Sequence, residues 1–483
     1  MTKTVKYYNS DDVDAPQLLQ TGWGHMINLY RKLCEGYNSK KATSILYDAN
    51  TKIVKINFDE SVIHGYRKHQ TIKINLAESE YNDKEFKIIH TTDSYIQCQT
   101  KDIFTEDLAV GDINIIVSPL GMIHEYSSGN KSAFKFPPEN GEDPTYLVIN
   151  DTEPTQFAWN NNNMCATPSV YMCKNLDSIN GMATDIVPYS STYPEAYKSG
   201  EWKDAALKNY WNYGISHILY QGNMNGSGFT VNNSGVFSNI TVKWILIGNQ
   251  DFHYLYVYPN SNNTYAYGSC LYTFGKYTSK IKNDQYNYIF NAPSNASQSR
   301  AANYNFYMSY YGNNYIYNVV TNSTNNIFST YRQTYSKFAR SILVGSAVND
   351  MSKTDYIGLK GITVNNNIDL WNRTRKFSLS TWSGQSGESY PPFDGKIKIS
   401  KIDIYEVSSS IERGTLKGAY WIHHSCPFAD KSVIKITDEN NRSFNAICLL
   451  NNGISNVGNM ESASGQIQDV YALISLDEDD WNE

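Results

Sequence analysis

Residues able to do chemistry are thinly spread along this 483-residue sequence. Cys165 and Cys173 stand eight apart, with Met164 and Met172 echoing the spacing, whereas zinc sites pair ligands two to four residues apart. His423 and His424 precede Cys426. Adjacent residues on a strand point to opposite faces, so these two imidazoles are poorly placed to share one ion. The acidic run 477–480 lacks the spaced Asp/Asn and Gly of a calcium loop and reads as a solvated tail. For nucleophilic catalysis there is no Gly-x-Ser-x-Gly elbow; the glycines of 222–228 make a flexible turn. Phosphate-cradling loops are equally absent. Glycosidase chemistry needs two carboxylates roughly 5–10 Å apart. Asp369, Glu388 and Asp394 lie near Trp371, Trp382 and Tyr390, a composition suited to sugar, but no acid pair stands out. No catalytic, cofactor-binding or metal-ligating residue is therefore assigned, and a protein that is not an enzyme is expected.

The composition narrows the class. Forty-one Lys and Arg against 47 Asp and Glu give a net charge of −6, the wrong sign for general nucleic-acid binding. Charged residues are 18%, below the roughly 25% usual for soluble domains. Mean hydropathy is nevertheless −0.50, because Asn and other uncharged polar residues fill the gap. Thirty-nine Tyr, 18 Phe and 9 Trp bring aromatics to 14%, which excludes a disordered or collagen-like chain. Exposed Tyr and Trp are good contact residues for sugars and protein interfaces; Tyr is equally a favoured strand residue whose hydroxyl stays wet. No apolar run approaches the roughly 18 residues of a membrane span; 244–247 is cut short by Gly248-Asn249-Gln250-Asp251. The first residues lack an apolar leader core, and the seven cysteines are odd in number and scattered. Synthesis in a reducing cytosol with buried thiols is expected.

These residues must be carried mainly by strands. One helix is predicted near the start, with Trp23, Met26, Ile27, Tyr30, Leu33, Cys34 and Tyr37 as its apolar stripe. Thr21 is its expected N-cap, Gly36 its stop, and Arg31, Lys32 and Glu35 its wet face. Period-two segments follow at 43–47, 52–58, 71–76, 86–90, 95–99 and 113–117, enough for a small antiparallel barrel or sandwich packed on the helix. Further strands are predicted at 146–150, 169–174, 240–248, 251–258, 269–277, 342–347, 376–382, 396–407, 433–437, 446–450 and 470–475. The pair 242–247 and 253–258 is the clearest hairpin, and 197–213 could form a short helix. Residues 291–341 are dominated by Asn, Ser and Tyr, and suit an exposed β layer or long loops.

Several segments, in order, resemble a family of tailed-bacteriophage virion structural proteins of tail or baseplate type. They begin with Gly22, Trp23, Ile27, Tyr30, Cys34, Gly36 and Tyr37, the family's opening helix and its exit, and continue through His64-Gly65-Tyr66 and Tyr81-Asn82. Ser118-Pro119-Leu120-Gly121 is similar to the family's junction, with Met122 in place of its usual Trp. Tyr146 to Asp151 and Asn175 to Ile179 follow, without the Arg and Gly-Tyr-Glu of the family. The segments Lys243 to Gly248 with Phe252 to Tyr256 are similar to its central hairpin, and Tyr272 to Tyr277 to the strand after it. Arg413 to Tyr420 and Pro427-Phe428-Ala429-Asp430 are similar to its C-terminal segment. The resemblance implies a virion component without catalysis, made in the host cytoplasm, whose partners are itself, in a symmetric homo-oligomer, and other virion proteins.

The expectation is a mainly β chain, with multi-domain antiparallel β barrels or sandwiches and one short N-terminal helix. Its divisions are an N-terminal arm, 1–20; a helix with a small antiparallel β module, 21–120; a β-rich sandwich-like domain, 121–290; a Tyr/Asn-rich β domain or continuation of that sandwich, 291–412; and a C-terminal β module with an acidic tail, 413–483. The arm is expected to order on docking to a neighbour, so that deleting 1–18 would leave a folded protein. A second expected function is receptor or host-glycan binding, with Trp371, Trp382, Tyr390, Tyr310, Tyr311 and Tyr315 as candidate contacts; a polysaccharide-degrading enzyme ranks last. Neither a cofactor, nor nucleic acid, nor a membrane span is expected.

Overall fold

The computed structural model describes residues 3–19, 24–105, 107–109, 113–129, 131–138, 144–150, 154–156, 164–166, 169–173, 175–177, 182–184, 241–259, 270–280, 288–291, 357–360, 395–397, 399–406, 412–422, 431–449 and 472–482. Two short strands, β1 (Lys6–Asn9) and β2 (Leu18–Leu19), precede helix α1 (His25–Glu35). Six antiparallel strands then close into a barrel: β3 (Tyr37–Asp48), β4 (Ile53–Phe58), β5 (Thr71–Asn75), β6 (Glu85–Thr91), β7 (Tyr95–Gln99) and β8 (Ile113–Val117), in the order β3-β4-β7-β6-β5-β8. Strict alternation sends Val54, Ile56, Ile72, Ile74, Ile88, Ile96, Cys98, Ile113 and Ile115 inward, all fully buried; closure leaves these strands no free edge. Rings stopper both ends. Tyr81 stacks on Phe104 at 4.3 Å beside Phe86 and Tyr47, and Phe58 lies on His64 and Tyr66 at the other end.

Helix α1 buries Met26, Ile27, Leu29, Tyr30 and Leu33 and leaves Arg31, Lys32 and Glu35 exposed. It begins behind Gly24, in the left-handed region at φ +84 and without a side-chain cap, and not behind Thr21; Thr21 and Trp23 lie outside the described residues. Gly36 stops it as expected. At φ +83, with a Cβ position 2.7 Å from the Val117 carbonyl oxygen, that site accepts glycine alone, and Tyr37 accordingly opens β3.

Beyond the barrel come β9 (Ile123–Ser128), β10 (Lys131–Phe136), β11 (Thr145–Asn150), β12 (Pro154–Gln156), β13 (Met164–Ala166), β14 (Ser169–Cys173), β15 (Asn175–Asp177) and β16 (Met182–Thr184). Four of them form a sheet in the order β14-β11-β10-β9; β12 pairs with β13 and β15 with β16. The expected hairpin is present as β17 (Thr241–Gly248) and β18 (Phe252–Pro259), followed by β19 (Cys270–Lys276), β20 (Thr278–Ser279) and β21 (Tyr288–Asn291). A six-stranded sheet runs β1-β17-β18-β19-β21, with β2 also on β17. The last strands, β22 (Ile357–Lys360), β23 (Ile399–Glu406), β24 (Glu412–Ile422), β25 (Val433–Thr437), β26 (Ser443–Leu449) and β27 (Ala472–Ser475), form a seven-stranded sheet in the order β22-β23-β24-β27-β26-β25, with β20 on β24. The chain is thus mainly β and antiparallel. The predicted elements at 197–213, 342–347 and 376–382 lie outside the described residues, as does nearly all of 291–341.

The six-stranded sheet is the middle layer. Trp244, Leu246, Leu255, Val257 and Phe274 join α1, the barrel, Phe134 and Phe136 in one apolar cluster. Ile245, Ile247, Phe252, Tyr254 and Tyr256 face the opposite way, onto Leu416, Ala419, Ile447, Ile474 and Trp481 of the C-terminal region. Burial on both faces explains why 244–247 and 254–257 read as unbroken apolar runs, not alternations.

Two expectations are corrected at the chain's extremities. The N-terminal arm needs no neighbour to order it: β1 pairs with β17 from Lys6↔Gly248 to Asn9↔Ile245. Val5, Tyr8 and Leu18 are buried, and the indole N–H of Trp244 donates to the Pro16 carbonyl oxygen at 2.9 Å. The acidic tail is not simply solvated either. Asp480 is 5% and Trp481 1% exposed, because each finds its partners inside the fold.

Candidate functional site

The β17–β18 turn, Gly248-Asn249-Gln250-Asp251, is where distant parts of the chain converge. The Asn249 side-chain oxygen accepts the N–H groups of Asp251 at 3.0 Å and Phe252 at 3.2 Å, an Asx arrangement that holds the tight turn. The Asp251 carbonyl oxygen accepts the Lys276 N–H at 2.8 Å, an approach open because residue 275 is glycine at φ +119, with a Cβ position 2.1 Å from that oxygen. The Asp251 carboxylate is buried and takes Lys3 from the N-terminal arm and Lys417, at 3.7 Å, from β24. A buried carboxylate with two cations is stable only while both stay; Asp251 therefore couples the arm, the hairpin and the seven-stranded sheet.

From Lys3 the seam runs to the other end of the chain. The Lys3 backbone N–H donates to the Asn482 side-chain oxygen at 3.0 Å, and the Asn482 amide donates back to the Lys3 carbonyl oxygen at 3.3 Å. Asp477 accepts the Asp479 N–H at 3.1 Å and so caps a single 3-10 turn, Glu478–Asp480. Asp480 accepts from the Tyr420 hydroxyl and from Arg442 Nη1 at 2.5 Å. Arg442 lies over Phe444 at 4.7 Å. Burial, then Asp480, raises the Tyr420 hydroxyl above its ordinary range; the Asp480 bond holds Arg442 protonated. Trp481 donates its indole N–H to the Ser475 carbonyl oxygen at 2.9 Å. Its ring rests on Gly418, where a Cβ would stand 2.3 Å from it, and edges Tyr254 at 5.8 Å.

Three more polar ties join the barrel to this seam. Lys6, buried, donates to Glu85 at 2.6 Å and to the Pro119 carbonyl oxygen; burial lowers its pKa while Glu85 opposes the shift. Lys87, likewise lowered by burial, donates to the Leu476 carbonyl oxygen. Asp12 accepts from the Tyr37 hydroxyl at 2.8 Å and the Asn9 N–H at 2.9 Å, with Arg67 at 3.6 Å; burial raises its pKa. The Lys6–Glu85 and Lys87–Leu476 ties span residues far apart in sequence. The arrangement does mechanical work: it fixes sheets and termini against one another with hydrogen-bonded charge.

The candidate contacts Trp371, Trp382, Tyr390, Tyr310, Tyr311 and Tyr315 all lie outside the described residues, as do Asp369, Glu388, Asp394, His423, His424 and Cys426. Cys165 and Cys173 fall on β13 and β14, strands of different sheets. Cys98, Cys173 and Cys448 are buried and Cys34 is half-buried. Among the described residues no three His, Cys, Asp or Glu side chains are grouped to hold a metal ion. The seam itself escaped sequence reasoning. Its usable signals were a Trp inside an acidic tail and a polar turn between two fully apolar runs.

Neither a protein-family model nor a curated protein matches this chain.

Proposed function

We propose that the protein is a structural component of a tailed-bacteriophage virion, of tail or baseplate type, that acts by protein–protein assembly with copies of itself and other virion proteins. The observation that carries this reading is where several of the family-like segments fall: among the described residues, four of them lie at joints of the fold. Gly36-Tyr37 is the helix-to-barrel corner, and Gly36 abuts Val117. Ser118-Pro119-Leu120-Gly121 is the exit from the barrel. There the Tyr8 hydroxyl donates to the Ser118 carbonyl oxygen at 2.8 Å, and the Gly121 Cβ position is 2.9 Å from Gln250 of the central turn. Lys243 to Tyr256 is the central hairpin, and Arg413 to Tyr420 is the part of β24 that carries Lys417 and Gly418. Collinear short motifs at such corners suit a chain selected for a shape that repeats in an assembly.

Mass spectrometry of phage particles purified from the source lysate tests this, with antibody labelling under the electron microscope. The chain is expected at a fixed ratio to the other particle proteins, with label on the tail or its base. Particles free of the chain would overturn the reading.

A further inference from the structure

His253 of β18 sits where three layers meet, and none of the ties above uses it. Its side chain is fully buried on the face of the six-stranded sheet turned towards α1 and β10. Nε2 lies 2.8 Å from the Tyr30 hydroxyl of α1. Rings enclose the remainder: Phe136 of β10 stacks at 5.7 Å and 15°, Phe274 of β19 stands at 5.3 Å, and Tyr30 itself at 5.6 Å. Nδ1 has no hydrogen-bond partner. A proton added here creates a charge in an apolar cage, which is costly.

The groups around it offer no relief. Tyr30 and Cys34 on α1 are held protonated by burial, and Arg31, Lys32 and Glu35 occupy the helix's exposed face. Lys131 and Lys135 alternate away from Phe134 and Phe136 on β10. His124 of β9 stacks on Phe134 at 4.8 Å and is itself pulled down by burial. Asp251 and Lys276 lie two positions along the strands from His253 and Phe274; burial pulls the imidazole down, to about 3.

We propose that this joint is acid-labile: protonation at His253 parts α1 and the four-stranded sheet from the six-stranded sheet while the barrel stays closed. In the parted state the imidazole is in water and titrates near its ordinary value of about 6.5. Between pH 7.5 and 5.0 the opening equilibrium then rises about thirtyfold.

Hydrogen–deuterium exchange at pH 7.5 and 5.0, normalised for intrinsic exchange rates, reads this directly. Protection is expected to fall about thirtyfold in peptides covering 25–35, 131–136 and 252–259, while 53–58 and 95–99 are expected to stay the more protected at both pH values. His253→Gln, which retains a polar partner for Tyr30 and cannot titrate in this range, is expected to abolish the fall. Barrel peptides that fall to the same level of protection as the joint, or a loss at the joint that persists in H253Q, overturn the proposal. Should H253Q fail to fold at pH 7.5, NMR of the wild type labelled in its histidine rings decides. The His253 imidazole, assigned through its contacts with Tyr30 and Phe136 and still neutral at pH 5.0 in the folded population, supports the joint; its titration near 6.5 overturns it.

Discussion

At the scale of single residues, small atoms and buried charges carry the fold's specificity. Gly418 adopts φ +64 beneath the Trp481 ring, so Gly418→Ala meets both the left-handed penalty and a clash. A loss of about 2–4 kcal/mol is expected, read as a lowered urea midpoint. Asp12 allows charge and hydrogen bonding to be separated. Burial disfavours its ionised form, yet its oxygen accepts from Tyr37 and Asn9. Asp12→Asn keeps an acceptor and is expected to stay within about 1 kcal/mol of wild type, whereas Asp12→Ala strands two donors and costs about 2–3 kcal/mol. Equal losses in the two variants would mean that the charge itself, through Arg67, dominates.

At the scale of elements, the arm belongs to the sheet it edges. Removing residues 1–18 strips β1 from β17 along with Val5, Tyr8, Lys6 and Asp12; loss of the cooperative melt is expected, and a truncated chain with an unchanged melt would contradict the pairing. Five of the six barrel strands and the central hairpin were legible in sequence within a residue or two, because each is an alternating or wholly apolar run closed by a short turn; β3 starts at Tyr37, six residues ahead of the expected 43. β1 was not legible. Lys6 breaks its apolar pattern, and its two partners, Glu85 and the β17 ladder, lie about 80 and 240 residues away, where no local window reaches. The tail failed for the same reason. Asp480 reads as a charge for water until Arg442, 38 residues upstream, is found beside it. The candidate contact aromatics, from Tyr310 to Tyr390, fall outside the described residues, and composition alone suggested them.

At the scale of the whole molecule, acid should weaken the native state. His64 accepts the Tyr66 N–H at Nδ1, 3.0 Å away, which fixes it as neutral, and burial lowers its pKa. Burial, with Lys68 and Lys87 adding, pulls His69 down to about 4. Folded values below the unfolded one mean that the native state binds fewer protons between them. Their stabilisation is complete above about pH 6.5 and drains as the pH falls. Asp12 and Glu478, raised by burial, run the other way as acid increases further. From pH 7.5 to 5.0 the urea midpoint is therefore expected to fall steadily at constant m-value; a flat midpoint would show that these imidazoles titrate freely in the fold. Lys3 and Asn482 touch each other, so anything joined ahead of the one or behind the other leaves the body at a single point. Gold or fluorescent tags on either end would mark the same spot in a particle image, and a map that separates them would locate a second copy of the chain.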